Sequence, residues 1–344
     1  MGSDKRKITS RDVAREAGVS QTLVSFVLNN AQDKKINPAT REKVIETARR
    51  LGYRVNINAR NMRTSKAEAI GFLSEWDLTS FAAAPVLKGI QNVLGGLNLS
   101  LIMFSNSKDD KLFFKEYYLQ NRIDGLIYLS YVGIGENEVI KTLKKLDIPF
   151  MCIVGAQDIE GVSSIDIDYE KSGYIAAEYL IERGYKKIVY LVKDWEDRLN
   201  CAELDRIKGC ERAAKDLGGA SGVEFIRYYG FVGAGNKYGY YKAAARLIDE
   251  MEFDAVVSTS FECYSVIREA NIRGIRLPDA FGVISLDNER YAPYVFPPLT
   301  SVCQPFERFG EIAAEALVKK ISGDTDKIES IEMEPFIIKR GSVK

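Results

Sequence analysis

The chain has 344 residues, in which 48 lysines and arginines balance 48 aspartates and glutamates, and it contains no histidine. The length allows two or three domains with sizeable cores, and the missing histidine excludes Ser-His-Asp or Cys-His nucleophiles and histidine-ligated zinc or iron. No apolar run approaches the ~18 residues of a membrane span, and the charged N-terminus leads into no secretory signal, which predicts a cytoplasmic protein.

Basic and acidic residues are unevenly distributed along the chain, although their total numbers are equal. Residues 1–66 contain 15 basic and 6 acidic side chains, a net charge of +9, whereas the remainder contains 33 basic and 42 acidic ones, a net charge of −9. A small basic head on a large acidic body predicts a polyanion-binding module joined to a second function.

Two short helices are predicted at the start of the head. Thr9 and Asp12 form a capping-box pattern, and Gly18 is a typical helix end. Ser20 can cap a second helix over residues 21–28. Two short helices joined by a turn of three or four residues that contains glycine are typical of a helix-turn-helix.

A third helix is predicted from Asn37 and Pro38, a cap followed by proline at the first helical position, and it ends at Gly52. Any small helical bundle needs such caps and apolar faces. The basic excess and the polar start of the second helix favour DNA binding over a purely structural bundle.

The head resembles that of the lactose-repressor (LacI/GalR) family of transcriptional regulators. The matching segments are 8–20, 24–25, 27–30, 40–44, 51–54, 56, 59–64 and 70–71, and the match continues through the body in order. The resemblance implies a homodimeric, ligand-responsive repressor of carbohydrate-related genes, with no enzymatic activity. Two recognition helices of a two-fold dimer would bind a pseudo-palindromic operator in double-stranded DNA.

The second helix of this family enters the major groove, and the resemblance assigns Gln21 and Thr22 to base edges. Glutamine can pair both amide groups with adenine, and threonine offers a hydroxyl and a methyl group. Phe26 stands where relatives often have arginine, and it packs either against a thymine methyl or in the head core. The implied DNA contacts are Thr9, Ser10, Arg11, Ser20, Gln21, Thr22, Ser25, Phe26, Asn29, Tyr53, Asn56, Ala59, Met62 and Arg63.

The segment 56–65 resembles the hinge that becomes helical on operator DNA in this family. Met62 matches a leucine that wedges between bases and kinks the minor groove, and its alternative is an exposed linker residue. Arg63 is placed to follow minor-groove phosphates. We therefore predict a DNA-binding domain over 1–56, a hinge over 57–66 and an effector-binding and dimerisation domain over 67–344.

The body alternates apolar strands with amphipathic helices, which is typical of parallel sheets. Strands are predicted at 70–73, 100–104, 125–129, 150–154, 187–192, 224–228, 255–258, 283–286 and 300–302. Helices are predicted at 84–95, 110–121, 136–146, 170–183, 204–217, 238–251, 262–273 and 305–321. The predicted fold class is a small all-α helix-turn-helix head plus an α/β body of two doubly wound parallel-sheet lobes.

The body resembles periplasmic binding proteins, whose hinged lobes close around a ligand. The chain is predicted to cross between lobes near residues 168, 302 and 334, and the late strand and helix are predicted to return to the first lobe. Ligand groups belong at the carboxyl ends of the strands. The resemblance assigns a small-molecule effector, a sugar or sugar derivative, to Trp76, Phe81, Arg206, Phe231, Ser260, Phe261 and Asp287.

Several of these assignments have alternatives. Arg206 and Asp287 either hold ligand hydroxyls or form a structural ion pair, and Phe231 either stacks on the ligand or packs in the core. Ser260 and Phe261 replace an Asn-Asp pair that is common in relatives. This replacement predicts a pocket that is more apolar or aromatic than a simple hexose site.

Two other functions are weighed against the regulator. A transporter's solute-binding protein shares the body but should have a signal sequence and no basic helical head. The best support for a Rossmann-type enzyme is the glycine-rich segment 230–235, which is not the GxGxxG pattern. The five cysteines, widely spaced and without a CxxC pair, are interpreted as reduced thiols, most of them in the core. We predict neither a metal site nor a cofactor.

Overall fold

The protein is described by a computed structural model over residues 8–28, 36–53, 66–78, 80–104, 112–130, 137–156, 159–192, 199–219, 222–230, 239–325 and 328–344. The chain divides into two compact units, Met1–Ala67 and Glu68–Lys344. The predicted hinge over 57–66 lies outside the described residues except for Lys66.

The first unit is the helical head. It contains α1 (Ser10–Ala17), α2 (Gln21–Leu28) and α3 (Pro38–Arg50). The predicted capping box of Thr9 and Asp12 is present, and Gly18 ends α1 with φ +67°, a left-handed conformation that glycine adopts without strain. The predicted helix-turn-helix is therefore confirmed. Its small core consists of Val13, Ala14, Ala17, Val24, Val27, Val44 and Ala48.

The second unit contains two sheets of six strands. The first sheet is parallel in the order β11-β5-β4-β3-β1-β2. Its strands are β1 (Ala69–Ser74), β2 (Ser100–Phe104), β3 (Gly125–Leu129), β4 (Phe150–Ile153), β5 (Ser164–Ile167) and β11 (Ile331–Met333).

The second sheet has the order β12-β10-β9-β8-β6-β7 and is parallel except for β12, which pairs antiparallel with β10. Its strands are β6 (Lys187–Val192), β7 (Glu224–Tyr229), β8 (Ala255–Ser258), β9 (Gly282–Ser285), β10 (Thr300–Cys303) and β12 (Phe336–Ile338). The predicted two-lobed α/β architecture is confirmed.

Eight helices are described in the second unit. They are α4 (Ala83–Gly96), α5 (Phe113–Leu119), α6 (Glu138–Lys145), α7 (Tyr169–Ile181), α8 (Cys201–Gly218), α9 (Gly239–Glu250), α10 (Ser260–Ile272) and α11 (Phe306–Ser322). None of the helices in the described ranges combines the length and the apolar composition that a membrane crossing requires.

One predicted placement is wrong. The late strand, β10, belongs to the second sheet and not to the first lobe, because Thr300 and Ser301 pair with β9 and the other edge of the strand pairs with β12. The late helix, α11, does pack on the first lobe, against α4, β3 and β4. The chain therefore passes between the lobes after β5, after β10 and after β11.

Glycines bring two helices of the second lobe into close contact beside Arg206. A Cβ atom on Gly173 of α7 would overlap the backbone carbonyl of Arg206, and one on Gly209 of α8 would overlap that of Glu170. These two positions therefore allow α7 and α8 to cross backbone against backbone. The crossing determines where the Arg206 side chain leaves α8.

The cysteines follow the prediction of reduced thiols that lie mostly in the core. All five are free thiols, and Cys152, Cys210 and Cys263 are buried. Cys201 is exposed because it is the first residue of α8, and Cys303 is partly exposed at the end of β10.

Candidate functional site

The start of α2 and the start of α1 share an exposed polar surface. The Gln21 side-chain amide donates to the Ser10 hydroxyl oxygen at 2.9 Å and accepts from Nε of Arg11 at 3.3 Å. These contacts orient the Gln21 amide before any base is present. Three of the predicted DNA contacts are thus joined by hydrogen bonds on the surface of the head.

Other predicted DNA contacts have structural roles in the head. The Ser20 hydroxyl accepts from the backbone N–H of Leu23 at 3.1 Å and so caps α2, and Thr9 caps α1. Tyr53 packs against the small core. Thr22 is exposed and Ser25 is half-buried.

Phe26 is half-buried. The partly buried side chains packed against the head core are Ile8, Val19, Leu23, Leu28, Ile36, Leu51 and Tyr53. The partial burial of Phe26 is compatible with both predicted alternatives, contact with a thymine methyl and packing in the head core. Five predicted DNA contacts lie outside the described residues: Asn29, Asn56, Ala59, Met62 and Arg63.

In the body, a buried ion pair joins two of the predicted effector residues. Nη2 of Arg206 on α8 donates to Oδ1 of Asp287, which follows β9, at 2.8 Å. Both residues are about 95% buried, and Nη1 of Arg206 lies 3.7 Å from Oε2 of Glu203, one turn earlier on α8. Burial lowers the pKa of Arg206, but the carboxylates of Asp287 and Glu203 together raise it above its ordinary value, so the guanidinium stays charged.

Asp287 is held from several sides. Its backbone N–H donates to the Ser285 hydroxyl at 3.1 Å, and its carbonyl accepts from the Ser260 hydroxyl at 3.0 Å. The Gln304 amide donates to Oδ1 of Asp287 at 3.3 Å and to the Leu286 carbonyl at 3.1 Å. The predicted residue Ser260 is therefore buried behind Asp287 and supports its backbone.

Two polar atoms beside Asp287 are buried without a hydrogen-bond partner in the part of the chain that the structure describes. They are the donor Nε of Arg206 and the acceptor Oε1 of Gln304. Buried polar atoms without partners are uncommon and indicate a missing ligand or water. A hydroxyl group both donates and accepts, so this pair of atoms suits hydroxyl groups of a ligand.

The first lobe contributes a cluster of aromatic rings. Trp76 follows β1, and its ring centroid lies 5.9 Å from that of Phe81 and 6.3 Å from that of Phe306. The indole N–H of Trp76 donates to the Ser130 carbonyl at 2.7 Å, which fixes the ring.

Tyr169 lies beside the ion pair. It is buried in the same core cluster as Phe306, and the Arg206 guanidinium carbon lies 5.2 Å from the centroid of its ring. Burial is the main cause that raises the pKa of the Tyr169 phenol. The phenol is thus neutral beside the charged pair.

Phe261 occupies a different environment from Ser260. Its side chain is 60% exposed, and its ring lies nearly parallel to that of Tyr240, with centroids 6.2 Å apart and an angle of 17°. Phe231, the remaining predicted effector contact, lies outside the described residues.

Four further residues of this region were not predicted from the sequence as effector contacts: Glu203, Gln304, Tyr169 and Phe306. Glu203 stands three positions before Arg206, a spacing at which helical side chains meet. Gln304 follows the carboxyl end of β10, where ligand groups of parallel sheets are found. That signal was hidden because the strand itself was assigned to the other lobe.

Glu289 lies two residues beyond Asp287 and is partly buried. Burial, followed by the negative charge of Asp287, raises the pKa of Glu289 to about 7. A carboxyl group near the predicted effector residues therefore titrates close to neutral pH.

Comparisons with known proteins agree with these features. Residues 9–56 match the family described as bacterial regulatory proteins, lacI family, and residues 177–343 match the periplasmic binding protein-like domain. Catabolite control protein A of Priestia megaterium is 31% identical over 342 residues, covering 98% of this chain and 99% of that protein. The HTH-type transcriptional repressor PurR of Aliivibrio fischeri (strain MJ11) is 29% identical over 349 residues, covering 97% and 98%.

Two solved structures share the fold. The lac repressor dimer bound to operator and the anti-inducer ONPF superimposes with a TM-score of 0.79 at 20% identity, covering 98% of this chain and 99% of that chain. The complex of the transcriptional regulator CelR with cellobiose superimposes with a TM-score of 0.65 at 24% identity, covering 98% and 100%.

Proposed function

The chain belongs to the lacI family of bacterial regulatory proteins, and on that premise we propose that it is an operator-binding repressor controlled by a sugar or sugar derivative. Members of this family are DNA-binding transcriptional regulators and not enzymes. The regulated genes are carbohydrate-related, and the protein acts in the cytoplasm, where its operator lies.

The DNA side of the proposal is supported by the head. Its excess of basic residues attracts the phosphate backbone without regard to sequence. Gln21, oriented by Ser10 and Arg11, reads a base edge in the major groove, and Thr22 reads its neighbour. The remaining polar residues at the helix starts bind phosphates and determine the register.

The operator is pseudo-palindromic because the protein binds as a homodimer. Exposed apolar side chains support two dimer surfaces in the body. One surrounds the edge strand β2 and includes Met103, together with Phe113 on α5. The other surrounds the end of α10 and includes Ile272, Tyr294 and Phe296, of which the last two are 84% and 80% exposed.

The effector side of the proposal is carried by one observation. Within the described residues, Nε of Arg206 and Oε1 of Gln304 are buried without hydrogen-bond partners, and both side chains donate another hydrogen bond to Oδ1 of Asp287. A carboxylate, a donor and an acceptor at one place bind a compound rich in hydroxyl groups. The rings of Trp76, Phe81 and Phe306 offer an apolar surface for the face of a sugar ring.

The proposal is tested by selecting bound duplexes from a random DNA library with the full-length protein. We expect a two-fold symmetric motif, bound more tightly than unrelated duplexes at physiological salt. Fluorescence anisotropy with the selected duplex then measures operator affinity across a panel of neutral sugars. A lack of any sequence preference would contradict the regulatory function, and a motif without two-fold symmetry would contradict the dimer.

A further inference from the structure

Phe261 presents an exposed aromatic ring at the start of α10. Its side chain is 60% exposed, and its ring is stacked with Tyr240 of α9 at 6.2 Å and 17°. Tyr264, one turn later on α10, meets the same ring edge-on, with centroids 6.5 Å apart and an angle of 87°. The rings of Tyr240 and Tyr264 thus hold Phe261 in one orientation while most of its surface faces solvent.

This aromatic platform, formed by Tyr240 and Phe261, is attached directly to the effector residues. Ser260 precedes Phe261, and its hydroxyl donates to the Asp287 carbonyl at 3.0 Å. Neighbouring Cα atoms are about 3.8 Å apart. The exposed ring therefore begins within one residue of the backbone contact that positions Asp287.

We propose that the aromatic platform is an outer subsite for the second ring of a two-ring effector. This inference rests on the proposed function, in which the first ring binds at Arg206, Asp287 and Gln304. The second ring lies flat against Phe261, either as a sugar with its apolar C–H face on the aromatic ring or as an aryl group stacked on it. The effector class is accordingly a disaccharide or an aryl glycoside and not a free monosaccharide.

The alternative occupant, a second copy of the chain, fits the opposite end of α10. Ile272 is eleven residues beyond Phe261, which places it roughly 16 Å away along the helix at 1.5 Å per residue. The side-chain amide of Asn271 donates to the Phe296 carbonyl at 2.8 Å, so the exposed Phe296 also lies at that end. The aromatic platform is therefore separate from the dimer surface that we propose at the end of α10.

The test is isothermal titration calorimetry of the full-length protein with two matched pairs of compounds. Glucose is compared with cellobiose, and galactose is compared with ONPG, an aryl galactoside. We expect the two-ring member of at least one pair to bind roughly tenfold more tightly than its monosaccharide. The pair that shows this ratio distinguishes a sugar from an aryl group on the platform.

Phe261→Ala should bring this ratio close to one and leave monosaccharide affinity unchanged, whereas Phe261→Tyr should keep the ratio because it keeps the ring. Tyr241→Ala is the matched control, since Tyr241 is the next residue after Tyr240 and contacts Arg268 instead. Equal affinities within both pairs, no binding of any of the four compounds, or an equal loss for one- and two-ring compounds in Phe261→Ala would overturn the subsite. Operator selectivity of the same preparations reports separately on the proposed function.

Discussion

Arg206 and Asp287 are 81 positions apart in the sequence, yet Nη2 of Arg206 and Oδ1 of Asp287 form a 2.8 Å hydrogen bond in a buried environment. Transferring both charges out of water is costly, and their attraction offsets that cost only with good geometry and further hydrogen bonds. Gln304, Ser260 and Glu203 supply part of that support. In the proposed function, the pair supplies a charged donor and a charged acceptor to the effector.

Removing the charge of Asp287 should destabilise the fold as well as the effector site. Asp287→Asn leaves the Arg206 guanidinium buried with Glu203 as its remaining carboxylate neighbour, so we expect a loss of about 2–4 kcal/mol in the free energy of unfolding. Urea unfolding measures this loss. The control is Asp279→Asn, which removes a pair with Arg276 whose side chains are 86% and 65% exposed, and it should cost no more than about 0.5 kcal/mol. Equal effects of the two substitutions would show that the buried pair is unimportant for stability.

Substitution of Gln304 tests the proposed effector site without removing a buried charge. Gln304→Met keeps the length of the side chain but removes the donor to Asp287 and the unpartnered acceptor. We expect effector affinity to fall about tenfold, the equivalent of one or two hydrogen bonds, while effector-free operator affinity is unchanged. Calorimetry measures the effector affinity with and without operator, and the operator affinity without effector. Linkage requires the operator and the effector to alter each other's affinity by the same factor. An undiminished effector affinity in Gln304→Met would remove Gln304 from the site.

Gln21 should read a base, whereas Arg63 should bind the phosphate backbone. Gln21→Ala is expected to cost roughly 1–3 kcal/mol and to relax the preference at one base pair of each half-site. Arg63→Ala is expected to weaken binding to all sequences alike and to reduce its salt dependence. Anisotropy on single-base operator variants at several salt concentrations separates the two effects. A uniform loss across sequences in Gln21→Ala would reassign Gln21 to the backbone.

Glu289 should make stability depend on pH. Its pKa is raised from 4.5 to about 7, so the folded protein binds this proton more tightly than the unfolded chain does. The ionised carboxylate therefore destabilises the fold above about pH 7, and this penalty decreases as the pH falls and is absent below about pH 4.5.

Glu289→Gln should accordingly raise the free energy of unfolding by about 1–2 kcal/mol at pH 8, a value reduced because the side chain is partly solvated. The gain should vanish near pH 4.5. Urea midpoints of both proteins across this range measure the difference. Glu252→Gln, at an exposed position, is the control, and a pH-independent gain in Glu289→Gln would contradict the raised pKa.

The head was predictable from the sequence because its signals are local. The capping box of Thr9 and Asp12, the glycine at position 18 and the proline at position 38 each act on the backbone within a few residues. The alternation of strands and helices in the body could also be predicted from the sequence, because amphipathic periodicity depends on residues that are close together in the chain. Strands β11 and β12 were not predicted because three residues carry too little periodicity, and β5 was not predicted because Ser164 and Asp166 interrupt its apolar residues.

The arrangement of the candidate effector site depends instead on contacts between distant segments. The sheet that accepts β10 is determined by pairing with β9 and β12, and that pairing brings Gln304 to Asp287. The different environments of Ser260 and Phe261, one buried and one exposed, follow from how α10 packs beside β9. Local sequence patterns do not predict these pairings. The free energy of the pairings arises only when segments that are far apart in the chain share one buried surface.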